Sequence, residues 1–408
     1  MNSTEYTKRI WQFLPKSFRN PFWKWYNHET IGRARSSKKP VPSHAPIVIA
    51  GMFRTASGLG AWARSTYRVL VDAGYNVIAV DLSDHLASAD IQCDIPFSEF
   101  PKSRTGTLIL HVNAPEVAIS LRKLGLRRGR SWRVIGAWAW ELDVFPTGWD
   151  AAFPLVSEIW TLSDFSANSL RQHRSAPSID VLPICVSPPG HLVSERETRS
   201  IRKPFKVLTM ADALSTLSRK NPIGAIQAFR KAFEDDPDYQ LILKLRNFQP
   251  GTEQWKPLEA ALADAANIEV IGENLSSEEQ WSIIADSSAF ISLHRAEGFG
   301  LGVAESMSLG IPVVTTGWSG NMSFCSDKSA CLVDYSMTPI PTDYPHYGNM
   351  GAKWAEPEID HAAHQLRRLS QDPDLIEELG LQGRHRIAEY CASEPVTEKL
   401  TSLIERKG

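Results

Sequence analysis

The segment His294–Val314 reads HRAEGFGLGVAESMSLGIPVV and is the most informative part of the sequence. It follows a predicted buried strand, Ala289–Leu293, and contains a predicted helix, Val303–Leu309. The loop between the two is rich in glycine. Loops of this kind are typical of α/β folds, which bind ligands at the carboxyl ends of parallel strands. We therefore expect a binding site at this loop.

Two carboxylates, Glu297 and Glu305, flank the glycine loop with seven residues between them. Backbone amides around Gly298–Gly302 can approach an anion closely, and the helix start adds the positive end of its dipole, so a diphosphate fits there. Carboxylates in such a place are suited to accept hydrogen bonds from sugar and ribose hydroxyls. Taken singly, the two glutamates would be a surface acid and a helix-start acid. Together with the loop they predict a nucleotide-sugar site.

Short apolar runs alternate with helical patterns along the chain in two series. The first starts with the predicted strand Ile47–Ala50 and the second with Phe205–Met210, and the proline-rich stretch Leu182–Pro189 separates them. This alternation predicts parallel sheets covered by helices on both faces. The expected fold class is α/β, with two doubly wound Rossmann-like domains that face a cleft.

Length and composition exclude several classes of protein. The 408 residues suffice for two domains. A total of 44 Lys+Arg against 46 Asp+Glu gives a formal net charge of -2, which argues against a nucleic-acid partner. No apolar stretch is long enough to span a membrane and no secretory signal is visible, so we expect a soluble cytoplasmic protein. The five cysteines are scattered, as expected of free thiols.

The charge of the N-terminal segment differs from that of the remainder. Residues 1–40 hold nine lysines and arginines against two glutamates, interleaved with aromatic side chains. This mixture suits a segment that lies on an anionic membrane surface, which would place the protein at the inner face of the plasma membrane. The alternative is a tail whose aromatic residues pack on the domain that follows.

The segment Glu297–Glu305 resembles the EGFG…E signature of retaining GT-B glycosyltransferases of the family 4 type. The stretch Asp212–Pro222, DALSTLSRKNP, is similar to the basic donor-phosphate segment of that family. A subgroup that acts on bacterial polysaccharides is similar in Trp138–Pro146, Glu158–Phe165 and Gly317–Asn321. The resemblance spans residues 47–390 and implies a GT-B fold with sugar transfer from a nucleotide-diphosphate donor.

The sequence predicts an organisation in four segments, of which the resemblance leaves the first unexplained. Residues 1–45 are the basic aromatic extension and residues 46–188 the Rossmann-like acceptor domain. Residues 189–385 form the Rossmann-like domain that binds the nucleotide-sugar, and a C-terminal helix at 386–408 could cross back to the N-terminal domain.

The resemblance also assigns roles around the glycine loop. Glu297 would hold hydroxyls of the donor sugar, and Glu305 would hold the ribose. Backbone groups of the loop would orient the sugar and the phosphate; these donor-binding residues are Gly298, Phe299, Gly300 and Leu301. Attack on the same face of the sugar, with the leaving phosphate as base, would need no carboxylate nucleophile, unlike glycoside hydrolysis.

Arg219 and Lys220 occupy the cationic position of the family. They would neutralise the departing diphosphate without a metal ion, and we favour Lys220 as the essential cation. The alternative is a solvated basic pair ahead of a helix that Asn221 and Pro222 cap.

The N-terminal loop Gly51–Gly60 corresponds to the family's first glycine loop. Gly58 and Gly60 would close on the donor phosphates or position the acceptor. The alternative is that these glycines only permit a tight turn between a strand and a helix.

One departure from the family concerns a histidine that many relatives place at the end of the strand that here reads Ile135–Glu141. This chain has Trp140 and Glu141 there instead. Glu141 is a candidate catalytic contact to the sugar or acceptor, or else a structural carboxylate at a turn. Trp140 and His111 are further candidates for contact with the acceptor or sugar, although a lone histidine near a strand end is more often structural.

We therefore expect a metal-independent, retaining glycosyltransferase without a cofactor. Its donor would be GDP-mannose or a UDP-sugar, with GDP-mannose favoured, and its acceptor a saccharide or lipid-linked saccharide of bacterial polysaccharide synthesis. One alternative is an NAD-dependent oxidoreductase, because Gly58, Gly60 and Ala63 match a dinucleotide fingerprint and Asp81 follows at a fitting distance. The other is a non-catalytic sugar-binding scaffold of the same fold.

Overall fold

The computed structural model describes residues 45–126, 131–197, 203–212, 216–248, 250–252, 255–263, 265–342, 344, 347 and 350–406. The predicted membrane-surface segment at residues 1–40 lies outside this part of the chain. No helix in the described part is long and apolar enough to cross a membrane.

The N-terminal domain is built on a parallel sheet of six strands in the order β2-β1-β3-β4-β5-β6. The strands are β1 Ile47–Gly51, β2 Val77–Asp81, β3 Thr105–His111, β4 Ser131–Ala137, β5 Glu158–Thr161 and β6 Ser178–Val181. Their side chains are largely buried because helices cover both faces of a parallel sheet.

The helices of this domain are α1 Gly58–Asp72, α2 Ser83–Leu86, α3 Ala114–Lys123 and α4 Asp164–Arg171, with a 3-10 helix at Trp149–Leu155. Two of them have a serine cap that accepts a hydrogen bond from a first-turn amide. Ser57 caps α1 in this way and Ser163 caps α4. The caps fix where the loops after β1 and β5 turn into helices.

The C-terminal domain has a second parallel sheet, in the order β12-β11-β10-β7-β8-β9. Its strands are β7 Phe205–Asp212, β8 Tyr239–Arg246, β9 Ile268–Ile271, β10 Ala289–Ser292, β11 Val313–Thr316 and β12 Cys331–Val333. An antiparallel pair, β13 Tyr335–Pro339 and β14 Lys353–Pro357, extends this domain and was not expected from the sequence. The predicted fold class of two doubly wound α/β domains is confirmed.

The remaining helices are α5 Gly190–Glu197, α6 Leu217–Lys220, α7 Pro222–Phe233, α8 Lys256–Leu262, α9 Ser277–Asp286, α10 Leu301–Ser308, α11 Ile359–Gln371, α12 Pro373–Tyr390 and α13 Ser393–Glu405. A 3-10 helix spans Gly320–Ser323. The last helix packs on α1 of the N-terminal domain. The guanidinium of Arg133 donates to the carbonyl oxygens of Leu403 and Ile404, 2.8 Å from each, and thereby caps the end of α13.

Candidate active site

The glycine loop joins the carboxyl end of β10 to the start of α10. That helix begins at Leu301, two residues before the predicted start. Gly300 precedes it with φ +94, a left-handed conformation that favours glycine. The first amides of a helix have no acceptor within the helix and point toward its N-terminal end. The end of the loop therefore presents backbone amides that are unpaired within the helix and are suited to bind an anion.

Close packing explains two further glycines around this loop. A Cβ on Gly298 would lie 3.1 Å from the carbonyl oxygen of Trp140, and one on Gly320 would lie 2.3 Å from that of Gly298. The Ser163 hydroxyl donates to the Gly298 carbonyl at 2.7 Å. Loops of both domains thus meet at the backbone of the EGFG segment. A side chain at Gly298 or Gly320 would force these loops apart.

Glu297 is held by its backbone and points at two cations. Its amide donates to Ser319 Oγ, and the Gly320 amide donates to its carbonyl, at 2.9 Å in each case. Its carboxylate forms an ion pair with the Lys220 ammonium and lies 3.4 Å from Arg219 Nη1. Burial alone would raise the pKa of Glu297, but the charges of Lys220 and Arg219 outweigh it and lower the pKa to about 2.

Arg219 joins the two domains. It lies on α6, is 6% exposed, and donates to the Ala296 carbonyl at 2.6 Å. Its Nε lies 3.6 Å from the Glu141 carboxylate of the N-terminal domain. Burial lowers the pKa of Arg219, but Glu297 and Glu141 together raise it above its ordinary value. The basic pair is therefore not a solvated one: the Lys220 side chain is 25% exposed, and that of Arg219 only 7%.

Glu141 accepts a hydrogen bond from the hydroxyl of Tyr347. The Tyr347 ring packs edge-on against Trp140, with ring centroids 5.9 Å apart. It also stacks on the Tyr344 ring, with the same distance between the centroids. Sequence reasoning missed Tyr347, which lies between β13 and β14 where no periodic pattern places it. The indole of Trp140 is 7% exposed and donates to the Val144 carbonyl, so it mainly supports this aromatic contact.

Glu305 has a different environment from that of Glu297. It lies on α10, and its carboxylate accepts a hydrogen bond from Gln280 Nε2 at 3.3 Å. Among the described residues, no lysine or arginine charge acts on its pKa. Burial therefore dominates and raises the pKa of Glu305 to about 8. The structure does not bring Glu305 into the charged cluster around Lys220.

The N-terminal glycine loop is tightly folded. A Cβ on Gly60 would lie 2.4 Å from the Thr55 carbonyl oxygen, so the turn itself requires this glycine, whereas Gly58 has open space around it. Arg54 Nε pairs with Asp81 at 2.7 Å. The same Asp81 carboxylate also accepts from the Ser83 hydroxyl, so it is occupied rather than free to hold a ribose as a dinucleotide site requires.

A second ion pair joins the domains beside this loop. Asp90 accepts from the Ala56 amide at 3.0 Å and pairs with Arg246 at the end of β8. Arg246 also lies 3.4 Å from Asp212 at the end of β7. Nothing in the local sequence marks these contacts, because they join residues far apart in the chain.

His111 lies at the end of β3, as expected, but it does not face the cleft. Its side chain has no exposed surface and packs edge-on against Trp62, with centroids 4.9 Å apart. Neither ring nitrogen has a hydrogen-bond partner among the described residues, and burial lowers the pKa of His111 to about 3. The buried imidazole is part of the core, which matches the structural alternative for this histidine, and its contact with the acceptor or sugar stays a prediction.

A cavity of about 360 Å³ lies beside α6 and is lined in part by Pro222, Gln227, Leu258 and Arg295. The Arg295 guanidinium there is occupied by Glu356, its partner on β14. The described residues contain no group of three or more His, Cys, Asp or Glu that could hold a metal ion.

Comparison with known proteins identifies the segment that carries this site. Residues 194–337 match the family model described as glycosyl transferases group 1. The match contains the basic pair, the glycine loop and both glutamates, and it ends before Tyr347. No curated protein matches the chain.

Solved structures match the fold at low sequence identity. Sucrose-phosphate synthase from Thermosynechococcus elongatus has a TM-score of 0.63 at 14% identity, covering 88% of this chain and 98% of that chain. Anabaena HepE, solved with UDP and glucose, has a TM-score of 0.59 at 12% identity and covers 88% and 99%. TarM of S. aureus, solved with UDP, has a TM-score of 0.54 at 14% identity and covers 75% of this chain.

This chain spans only 57% of the length of TarM. Its two domains have the GT-B architecture of these structural neighbours. The group 1 match over the C-terminal domain and the GT-B fold together support a glycosyltransferase.

Proposed function

We propose that this protein is a retaining, metal-independent glycosyltransferase that moves a hexose from a nucleotide-diphosphate sugar to a saccharide or lipid-linked saccharide. The observation that carries the proposal is the cluster of Lys220, Arg219 and Glu297 beside the start of α10. It combines two cations, a carboxylate and a helix N-terminus at the carboxyl end of a parallel sheet, where such folds bind ligands.

The cations serve the departing group. As the glycosidic bond breaks, the nucleoside diphosphate gains negative charge, and positively charged groups fixed in advance stabilise that charge at little reorganisation cost. Lys220, the more exposed cation, contacts the phosphate, and Arg219 holds the position of Glu297 and Glu141 around it. The charge of these side chains makes a metal ion unnecessary in this mechanism.

The glutamates serve the hydroxyl groups. Glu297 accepts hydrogen bonds from the donor sugar because its low pKa keeps it an acceptor at neutral pH. Glu305 contacts the ribose, with Gln280 beside it. Backbone amides of Phe299, Gly300 and Leu301 orient the sugar and phosphate. Retention follows from attack on the face that the diphosphate leaves, with the leaving phosphate as base.

The donor and the acceptor are proposed from likeness. The polysaccharide subgroup that the sequence resembles favours GDP-mannose, whereas HepE and TarM were solved with UDP, which favours a UDP-sugar. The acceptor belongs to bacterial polysaccharide synthesis at the inner face of the plasma membrane. Residues 1–40 would hold the otherwise cytoplasmic protein on anionic lipid, and their deletion should weaken sedimentation with anionic vesicles.

A thermal-shift panel tests the proposal first. GDP, UDP, dTDP, ADP and NAD are compared with and without a chelator. A ligand that binds only the folded state at about 100 times its dissociation constant adds roughly 2.7 kcal/mol of stability, which is measurable. We expect a chelator-insensitive shift with one nucleoside diphosphate. A shift with NAD alone would replace the transferase by an oxidoreductase.

A further inference from the structure

The Lys220 ammonium already has an anionic partner within the protein. Glu297 contacts it directly and also lies 3.4 Å from Arg219, and the Glu297 side chain is only 10% exposed. A phosphate that approaches Lys220 therefore meets a site whose charge Glu297 has neutralised. To gain the full charge of Lys220, the phosphate must weaken this ion pair, because both anions compete for the same positive charge.

Separating Glu297 from Lys220 costs free energy, and the cost depends on whether the ligand offers Glu297 new hydrogen-bond donors. Removing a cationic partner from a carboxylate this well buried costs free energy unless another group replaces that partner. A nucleotide-sugar brings hydroxyl donors that can hydrogen-bond to Glu297 as it leaves Lys220. A nucleoside diphosphate lacks the transferred hexose, and its ribose hydroxyls belong to the contact proposed for Glu305, so Glu297 gains no hydroxyl donor and keeps only Arg219.

We propose that Glu297 makes the site discriminate between the nucleotide-sugar and the bare nucleoside diphosphate, by competing with phosphate for Lys220. This inference rests on the proposed function and adds a second task to a residue of that site. In it, transfer of the sugar removes the hydroxyl donors, Glu297 returns to Lys220, and the product diphosphate is expelled. The same contact that holds the sugar thus limits product inhibition.

The inference predicts an effect of unusual sign. Glu297→Gln should bind UDP or GDP about tenfold more tightly than the wild type, because an amide competes poorly for an ammonium. Binding is measured by calorimetry with both diphosphates on the full chain. Glu297→Asp, whose carboxylate is shorter by one methylene, should give a smaller gain and serves if the glutamine variant unfolds.

Two comparisons separate competition from a general change in charge. Glu141→Gln removes the same unit of charge from the other side of Arg219, 3.6 Å from Nε, and should give a clearly smaller gain than Glu297→Gln. In a Lys220→Met background, Glu297→Gln should no longer tighten binding, because the contested ammonium is gone.

The outcomes are distinct. Unchanged or weaker diphosphate binding by Glu297→Gln overturns the inference, and so does an equal gain from Glu141→Gln or a gain that persists without Lys220. If neither UDP nor GDP binds the wild type or any variant, the proposed function fails and takes this inference with it. Tighter binding that depends on Lys220 supports both.

Discussion

Glu297 and Glu305 flank one short loop, yet the structure gives them opposite electrostatic environments. Glu297 lies between two cations, and its pKa falls to about 2 despite burial. Glu305 has an amide partner, and burial raises its pKa to about 8. The two glutamates of one motif thus differ in charge at neutral pH: Glu297 is an anion, and Glu305 is mostly protonated. Partner charge, rather than residue type or depth of burial, explains the difference.

The largest effect is expected when the anion of this comparison is removed. Glu297→Gln should lower the rate of sugar transfer by about 10²–10³-fold, because an acceptor fixed toward the donor sugar is lost. The rate is measured with the donor whose diphosphate stabilises the wild type. Circular dichroism and the melting temperature confirm that the fold survives. Transfer at the wild-type rate would show that Glu297 is not part of the site.

The second prediction concerns the pH dependence of stability. The pKa of Glu305 rises from about 4.3 in the unfolded chain to about 8 in the folded protein, so the folded state binds more protons between these values. The contribution of Glu305 to the free energy of unfolding therefore falls as pH rises through this window. Glu305→Gln removes that loss, and its advantage over the wild type should grow from about pH 5 to about pH 9.

Urea unfolding of both proteins across this range measures the effect. Glu297→Gln is the control, because the pH dependence that Glu297 gives to the free energy of unfolding has the opposite sign. The lowered pKa of Glu297 contributes stability that is present above about pH 4.3 and lost as pH falls toward 2. A constant difference between Glu305→Gln and the wild type at every pH would refute the protonation of Glu305.

The sequence was sufficient to predict those features of the site that lie within one stretch of chain. The strand, the glycine loop, the helix and both glutamates follow from residues 289–309, because each depends on neighbours along the chain. The basic pair at Arg219 and Lys220 follows from family resemblance. The parallel sheets follow from hydrophobic periodicity, which a local window also contains.

The rest depends on contacts between distant segments. The amino-acid pattern around His111 is compatible with either a cleft residue or a buried one, and only the packing of Trp62 against it makes it core. The contacts of Ser163 with Gly298 and of Asp90 with Arg246 join the two domains and leave no local pattern. To predict that the pKa of Glu297 falls while that of Glu305 rises, one must likewise know which side chains lie near each glutamate.

The smallest predicted effect concerns a third carboxylate, Glu141, which has a cationic partner, as Glu297 does, and also a neutral one, as Glu305 does. It lies near the cation Arg219 and also accepts a neutral hydrogen bond from Tyr347. Tyr347→Phe removes only that hydroxyl, and a partly buried acceptor that loses its donor costs about 1–3 kcal/mol. We expect a severalfold fall in transfer rate and a lower melting temperature.

Tyr344→Phe is the matched control for this change. Tyr344 stacks on Tyr347 with an interplanar angle of 4°, so both variants lose a hydroxyl from the same aromatic stack. Of the two tyrosine hydroxyls, the one that donates to Glu141 within the described part of the chain is that of Tyr347, so its loss should lower the transfer rate. Equal effects of the two variants would assign Tyr347 to packing alone. A selective effect would show that a segment beyond the family match, which ends at residue 337, helps to hold Glu141 of the N-terminal domain beside the charged cluster.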